Sequence, residues 1–264
     1  MDTMLGAFTR PWNMLDYGEA LPHLARHFKR AGIMRNNKKL AITLDSTPDE
    51  ARAAVAAART HGVEIVCFLA QAPAVSQGAE AGAAQFKRNV DLAAAAAVPH
   101  ILTTGVGDAK LRDAYAKTLQ IAAPYAAEKG VTIGLKPHGG ITRTGKECRQ
   151  FAEQVGLEGF GLWFDPGNFV FYDGLDPAEE IKPMAEYCVA VCLKDCAKGS
   201  TGKPDVNVRP GTGLVDFKSC LRTLKDAGFD GPMLFECLGG ATPAEVDANA
   251  IEAKSYFSSL FSSL

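Results

Sequence analysis

Short apolar runs alternate with longer amphipathic stretches along the whole chain, and this alternation limits the folds available to it. Eight runs have the length and composition of β-strands. They begin at Met4, Leu40, Val63, His100, Val131, Phe160, Cys188 and Pro232. Helical spacing of apolar and charged residues occupies residues 48–60, 79–97, 111–129, 145–155 and 217–227. Because this series leaves no segment for a second sheet, we expect an α/β fold, a (β/α)8 TIM barrel that forms a single domain over residues 1–264.

Three helix starts carry the same capping chemistry. Thr47, Asp176 and Thr242 each stand directly before a proline and three residues before a glutamate. The side-chain oxygen of such a residue accepts from the free N–H groups of the first turn, and proline fits the first helical position. These three residues are therefore the predicted N-caps of three helices.

An open doubly wound sheet is the alternative architecture. It would normally have a glycine-rich nucleotide loop after its first strand. Residues 6–11, which read Gly-Ala-Phe-Thr-Arg-Pro, do not supply such a loop, so the barrel is the favoured fold.

The charge balance argues against a polyanionic partner. With 28 basic and 30 acidic residues the net charge is −2, so no electropositive field attracts nucleic acid or a membrane surface. No apolar run approaches the roughly 20 residues of a membrane span. Seven dispersed cysteines are typical of reduced thiols, so we expect a cytoplasmic protein. A small-molecule substrate fits this composition, and a homo-oligomer stays open.

Ionisable and polar residues follow several of the predicted strands, in loops that contain glycine. They are Lys136 and His138 after the fifth strand, Asp165 and Asn168 after the sixth, Lys194 after the seventh and Glu236 after the eighth. Because parallel strands end at one edge of a sheet, we expect Lys136, Asp165, Lys194 and Glu236 to meet at one mouth of the barrel. This edge is where α/β enzymes place their active sites.

The segment from Gly134 to Gly240 resembles the sugar phosphate isomerase/epimerase family of xylose-isomerase-like barrels. The matching pieces, in the order and spacing of the family, are GLKPHGG from Gly134, FDPGN from Phe164, CLKD from Cys192, RPGTGLVDF from Arg209 and FECLGG from Phe235. The resemblance implies a TIM barrel enzyme of carbohydrate metabolism. In this family four strand ends usually supply Glu, Asp, His and Glu to one divalent metal, and the two Glu residues act as acid and base.

The chain departs from the family at half of those four positions. Asp165 matches the Asp and Glu236 matches the second Glu, but Lys136 occupies the position of the first Glu and Cys192 that of the His. No histidine follows His138 in the sequence. A lysine ammonium repels a divalent cation and has no free lone pair, but it brings a positive charge of its own.

The expected inner set is therefore Lys136, His138, Asp165, Lys194 and Glu236. Two ammoniums that face two carboxylates neutralise each other without an ion. We expect that no cofactor is required and that the purified protein carries substoichiometric divalent metal. The alternative is a weak Mn, Mg or Zn site formed by Asp165, Glu236 and His138.

The resemblance and this cluster together predict proton abstraction next to a carbonyl. Glu236 is the expected base, Lys136 the cation that stabilises the enediolate oxygen, and His138 the second acid or base. Asp165 is expected to orient Lys136. The structural alternatives are a Lys136–Asp165 ion pair without a catalytic role and a His138 side chain that only bonds a loop carbonyl.

Four further residues are candidates for substrate binding. They are Lys194, Arg209, Asn168 and Trp163. Arg209 precedes a glycine-rich loop and suits bidentate contact to an anionic group or a diol. Trp163 is an apolar wall for a sugar ring or, equally, a core residue.

The predicted function is that of a sugar isomerase or epimerase acting on a keto-sugar or polyol through an enediolate. A lyase, meaning a dehydratase, keto-glycoside eliminase or decarboxylase, shares the first step and is the alternative. A non-catalytic sugar-binding barrel is the second alternative, because two metal-ligand positions are replaced. A multi-metal nuclease is disfavoured, since the chain has only five histidines.

Overall fold

The computed structural model describes residues 4–156 and 158–264, and its central feature is a closed sheet of eight parallel strands. The barrel strands are β1 (Leu5–Phe8), β2 (Arg30–Ile33), β3 (Glu64–Leu69), β4 (His100–Thr103), β5 (Thr132–Leu135), β6 (Phe160–Phe164), β7 (Cys188–Leu193) and β10 (Met233–Phe235). Each strand pairs with its neighbours in chain order, and β10 pairs with β1 to close the ring. A separate antiparallel ribbon contains β8 (Ala197–Lys198) and β9 (Pro204–Asp205). The expected TIM barrel is confirmed.

Helices occupy the intervals between the strands. They are α1 (Tyr17–His27), α2 (Pro48–Thr60), α3 (Ala79–Ala95), α4 (Arg112–Glu128), α5 (Gly145–Val155), α6 (Pro166–Asp173), α7 (Pro177–Glu180), α8 (Phe217–Asp226) and α9 (Pro243–Ser262). Short 3-10 turns lie at Arg10–Trp12, Val75–Gln77, Ala109–Leu111 and Ala185–Tyr187. Among the helices of the described residues, none is both long and apolar enough to cross a membrane.

The predicted N-caps begin the helices as expected. Thr47 and Thr242 each form a complete capping box with the glutamate three residues later. Asp176 accepts a hydrogen bond from the Ala178 N–H instead and begins only the four-residue helix α7. A cap fixes where a helix starts, whereas its length depends on the surface that it has available to cover.

The second strand was predicted in the wrong place. Residues 40–44 contain no strand, and β2 lies ten residues earlier, where Ala31 pairs with Ala7 of β1. The physical reason is Gly32. A Cβ on this residue would lie 2.4 Å from the Phe8 ring and 2.6 Å from Cys67 Sγ, so close packing inside the barrel requires glycine. The residues of the predicted strand form a loop instead, and Ile42 of this loop is buried in the core.

Two apolar clusters form the core. The larger one lies between the strands and the surrounding helices. The smaller one fills the barrel and consists of Phe8, Met34, Val66, Cys67, Leu102, Trp163, Ala190, Cys192 and Leu234. Because the interior is packed with side chains, a ligand site is left only at the strand ends.

Candidate active site

Strand alternation carries four charged residues to the carboxyl end of the barrel interior. Asp165, Lys194 and Glu236 each stand two residues after an interior side chain, at positions 163, 192 and 234. Lys136 stands two residues after Gly134, where a Cβ would lie 2.7 Å from the Trp163 ring. Residues two apart in a strand project to the same face, so all four side chains rest on top of the packed interior.

These four residues form one ion cluster, made of Lys136, Asp165, Lys194 and Glu236. Lys136 Nζ contacts Glu236 Oε2 and lies 3.3 Å from Asp165 Oδ2. Lys194 Nζ lies 2.7 Å from Asp165 Oδ2 and 3.3 Å from Glu236 Oε1. No side chain of the cluster is more than 5% exposed. Each ammonium thus contacts both carboxylates, in a place that bulk water hardly reaches.

The two carboxylates are held differently. Glu236 accepts hydrogen bonds from both lysines. Asp165 caps helix α6, since its Oδ1 accepts from the Asn168 N–H at 3.1 Å. Among the described residues none donates a hydrogen bond to its Oδ2, so the contacts of this oxygen with the lysines are coulombic. Asp165 is therefore anchored to the backbone, and Glu236 is the carboxylate held by the lysines.

The charges in the cluster stabilise one another. Burial by itself would raise the pKa of Glu236, but Lys136, Lys194 and Arg10 outweigh it and hold that pKa well below its ordinary value. Burial would lower the pKa of Lys136 and of Lys194, and the two carboxylates raise both instead. All three groups are charged at neutral pH.

A cavity of about 610 Å³ opens above the cluster. Its wall includes Lys136 and Glu236 together with residues at or just after the ends of the first four strands, namely Arg10, Met34, Leu69 and Thr104. Its volume is in the range of small-molecule sites, roughly 300–1,000 Å³. The last four barrel strands therefore supply the ion cluster, and the segments after the first four strands supply most of the remaining wall.

Arg10 was missed by the sequence reasoning. It follows β1 and donates from Nη1 to the Glu236 carbonyl oxygen at 3.3 Å, and the same atom lies 4.0 Å from Glu236 Oε1. It also contacts Cys237 Sγ. The available signal was its position two residues after Phe8, an interior residue at the end of the first strand.

His138 lines the cavity and is exposed at its edge. Its Nε2 lies 2.9 Å from the Tyr172 hydroxyl, and the two rings are 4.6 Å apart between centroids. Partial burial, and after it the charges of Lys136 and Lys194, lower the pKa of His138. The imidazole is therefore neutral at pH 7, and it bonds a tyrosine rather than a loop carbonyl.

Of the four predicted substrate-binding residues, none is among the described residues that line the cavity, and Lys194 belongs to the ion cluster below it. Arg209 lies 3.7 Å from Glu252 of α9, and Trp163 is fully buried in the barrel interior, 5.9 Å from Phe8 between ring centroids. Asn168 is buried as well, and its amide donates to the Pro137 carbonyl at 2.6 Å. The structure thus places Asn168 and Trp163 as supports beneath the site, and Arg209 in an ion pair with α9.

Asp195 is a second residue that the sequence reasoning left aside. It is fully buried and its carboxylate accepts from the backbone N–H groups of Cys196, Gly211, Gly213 and Val215. These bonds tie the glycine-rich loop to the end of β7. The RPGTGLVDF segment that begins at Arg209 is therefore a loop whose backbone N–H groups surround the Asp195 carboxylate.

Three donor atoms stand close enough to share a metal ion. They belong to Asp165, Cys192 and Glu236 and lie within 4.8 Å of one another. Burial raises the pKa of the Cys192 thiol well above its ordinary value, and the thiol donates to Glu236 Oε2 at 3.2 Å. Both carboxylates already contact two ammoniums, so the donor set does not fit a tightly held divalent cation. In the described residues His138 is not part of this group.

Sequence comparison finds a family profile and curated relatives. The profile, described as "Xylose isomerase-like TIM barrel", matches residues 19–256. L-ribulose-5-phosphate 3-epimerase UlaE of Salmonella paratyphi C is 39% identical over 88 residues, which cover 33% of this chain and 28% of the relative. The enzyme of the same name from Escherichia coli O157:H7 is 38% identical over 129 residues, which cover 48% and 42%. The matches span less than half the length of these relatives.

Solved structures share the fold over nearly the whole chain. A D-tagatose 3-epimerase-like protein superposes with a TM-score of 0.74 at 16% identity and covers 98% of this chain and 97% of its own. A xylose isomerase-like TIM barrel protein from Mycobacterium smegmatis, in complex with magnesium, has a TM-score of 0.74 at 18% identity and covers 97% of both chains. At such identities the likeness establishes the fold alone.

Proposed function

Because the chain belongs to the xylose isomerase-like TIM barrel family, we propose that it is a sugar epimerase or isomerase that removes a proton next to the carbonyl of a keto-sugar. The observation that carries the proposal is the buried contact of Lys136 with Glu236 at the floor of a sugar-sized cavity. The names of the relatives support the reaction class. They include an L-ribulose-5-phosphate 3-epimerase and a D-psicose 3-epimerase.

In the proposed first step the Glu236 carboxylate takes the proton from the substrate carbon. The C–H electron pair becomes a carbon–carbon double bond, and the carbonyl electron pair moves onto its oxygen to give an enediolate. The Lys136 ammonium donates to that oxygen, so its positive charge faces the negative charge that develops there. Return of a proton to the same carbon from the opposite face inverts that carbon. Return to the former carbonyl carbon, with the neighbouring hydroxyl proton passing to the enediolate oxygen, moves the carbonyl group and isomerises the sugar.

The second proton transfer is assigned to His138. Its imidazole is at the cavity wall and bonds the Tyr172 hydroxyl, so a proton donor and an acceptor lie side by side there. Asp165 has the supporting role in this scheme. Its contacts with Lys136 and Lys194 hold the ammoniums in place from the side of α6.

The proposed enzyme works without a tightly held metal. The charge that a divalent ion would bring to the substrate carbonyl is supplied by Lys136, which already contacts the base. Two ammoniums against two buried carboxylates leave no negative charge to attract a cation. Binding of a carbonyl oxygen to Lys136 then loosens its contact with Glu236, which raises the pKa of the base at the moment when it is needed.

The test is deuterium wash-in from D2O, followed by NMR, with D-tagatose, D-psicose and L-ribulose 5-phosphate. We expect incorporation at one carbon, and Glu236→Gln should lower its rate by about 10²-fold to 10³-fold, the range for removal of a catalytic group. Glu186→Gln, at an exposed glutamate, is the matched control. Unchanged wash-in in Glu236→Gln removes this residue from the base role. Binding without any exchange favours the sugar-binding barrel, and loss of water from one of these sugars identifies a lyase.

A further inference from the structure

We propose that Arg35 and Lys38 form an oxyanion subsite in the cavity, which binds the phosphate or carboxylate group of an anionic sugar. Both residues line the same cavity as Lys136 and Glu236. The orientation of the sugar, with its carbonyl end toward Glu236, rests on the proposed function. The subsite itself rests on the charges and the backbone of the segment that follows β2.

Arg35 and Lys38 are exposed cations without partners. Within the described part of the chain neither side chain forms an ion pair or a hydrogen bond. Several other exposed cations are paired, as Arg143 is with Asp173 at 2.9 Å and Lys182 with Glu179 at 2.6 Å. Two unpaired cations in one cavity leave donors free for a bound anion.

The charge balance of the cavity is opposite to that of the whole chain. The ion cluster is neutral, because two lysines face two carboxylates. Arg10, Arg35 and Lys38 therefore leave three positive charges in excess around the cavity, in a chain whose net charge is −2. Concave walls with charges of one sign concentrate a ligand of the opposite sign.

The two cations stand on a tight turn with an unusual backbone. Asn36 and Lys39 pair across it, with the Lys39 N–H donating to the Asn36 carbonyl at 2.8 Å and the return bond at 2.9 Å. The central residues Asn37 and Lys38 have φ of +45° and +64°, the left-handed region that residues with a side chain rarely adopt. Strain of this kind persists only where the surroundings enforce it, and it is concentrated at functional sites.

Contacts with the segment after β1 enforce this left-handed backbone at Asn37 and Lys38. The buried Asn36 amide donates to the carbonyls of Thr9 and Trp12, each at 3.2 Å. The Asn37 N–H donates to the Asn13 carbonyl at 2.9 Å. The turn is therefore fixed to the segment after β1, which also carries Arg10. A fixed turn positions its cations before an anion arrives, which lowers the entropy cost of binding.

The acidic side chain that bonds this turn, Asp16, does not neutralise the site. Asp16 accepts a hydrogen bond from the Asn37 side-chain amide at 2.9 Å and begins helix α1. It borders a different recess, shared with Lys39, and does not line the cavity. Lys39 is thus a cation on the same turn that lies outside the proposed subsite.

The experiment measures binding of three sugar derivatives by calorimetry, namely the phosphate ester sorbitol 6-phosphate, the sugar acid gluconate and the uncharged sorbitol. None of them has a ketone for the proposed chemistry, so binding is measured apart from turnover. We expect an anionic ligand to bind at least about tenfold more tightly than sorbitol. Arg35→Gln with Lys38→Gln should weaken the anionic ligand by roughly 10²-fold, as for two charge-assisted hydrogen bonds, and leave sorbitol unchanged. Lys39→Gln, at an exposed lysine of the same turn, should stay within about twofold of the native protein.

The outcomes separate the two anion sources and the two proposals. Tighter binding of sorbitol 6-phosphate than of gluconate identifies a phosphate ester, and the reverse identifies a sugar acid. Equal affinity for all three ligands, or an unchanged preference in the double variant, overturns the subsite. An equal loss in Lys39→Gln overturns it too, because the effect would then be diffuse attraction. If anion binding behaves as expected but no ketose exchanges deuterium, the subsite stands and the proposed function fails.

Discussion

Replacement of Lys136 by methionine tests the ion cluster most directly. The side chains are of similar length, but the variant leaves two buried carboxylates with only Lys194 between them. Removal of one partner of a buried ion pair costs about 3–5 kcal/mol. At roughly 2–4 °C per kcal/mol for a domain of this size, the melting temperature should fall by about 6–20 °C. The variant should also lose deuterium exchange, by about 10²-fold or more.

The same substitution should create a metal site. Without Lys136 the remaining cluster has an excess negative charge, and the donor atoms of Asp165, Cys192 and Glu236 lie within 4.8 Å of one another. Mn²⁺ at a hundred times its dissociation constant should then restore about 2.7 kcal/mol. The native protein should gain no such stabilisation.

The assay is thermal unfolding followed by circular dichroism, with Mn²⁺ and with EDTA, for the native protein and for Lys136→Met. Lys146→Met, which removes an exposed lysine of α5, is the control and should melt within about 2 °C of the native protein. The reasoning is refuted if Lys136→Met has the same melting temperature as the control variant Lys146→Met. It is also refuted if Mn²⁺ stabilises the native protein as much as the variant, because the lysines would then not oppose a cation.

Two further predictions concern His138 and Asp195. The pKa of His138 lies below its usual 6.5, so the imidazole stays neutral as the pH falls to that value. The acid limb of the pH profile of kcat/KM should therefore lie below pH 6.5 and should change in His138→Gln. An acid limb above pH 6.5 in the native protein contradicts this assignment. Asp195→Ala leaves four backbone N–H groups without their acceptor and should cost at least about 3 kcal/mol in urea unfolding, with faster hydrogen exchange over residues 209–215. Asp226→Ala, at an exposed position, is its control, and equal losses in the two variants would remove the anchoring role of Asp195.

Local patterns were sufficient for much of the fold. The bounds of α2 follow from its capping residue and its apolar spacing, and those of α5 from the apolar spacing alone, because these interactions join residues three or four apart. The members of the ion cluster could be named for a similar reason. Each stands just after an apolar run, and parallel strands must end at one edge, so Lys136 and Glu236 meet although they are 100 residues apart.

Only the tertiary structure decided the other half of the cavity. Strand β2 contains a glycine that the barrel interior requires, and no local pattern shows the Phe8 ring against which it packs. Because β2 was misplaced, the turn after it, with Arg35 and Lys38, could not be recognised as a strand end. The contact of Arg10 with Glu236 spans 226 residues, and the burial of Trp163 depends on its neighbours across the barrel. Sequence therefore determined which chemical groups follow the strands, and the closure of the sheet decided which of them share a cavity.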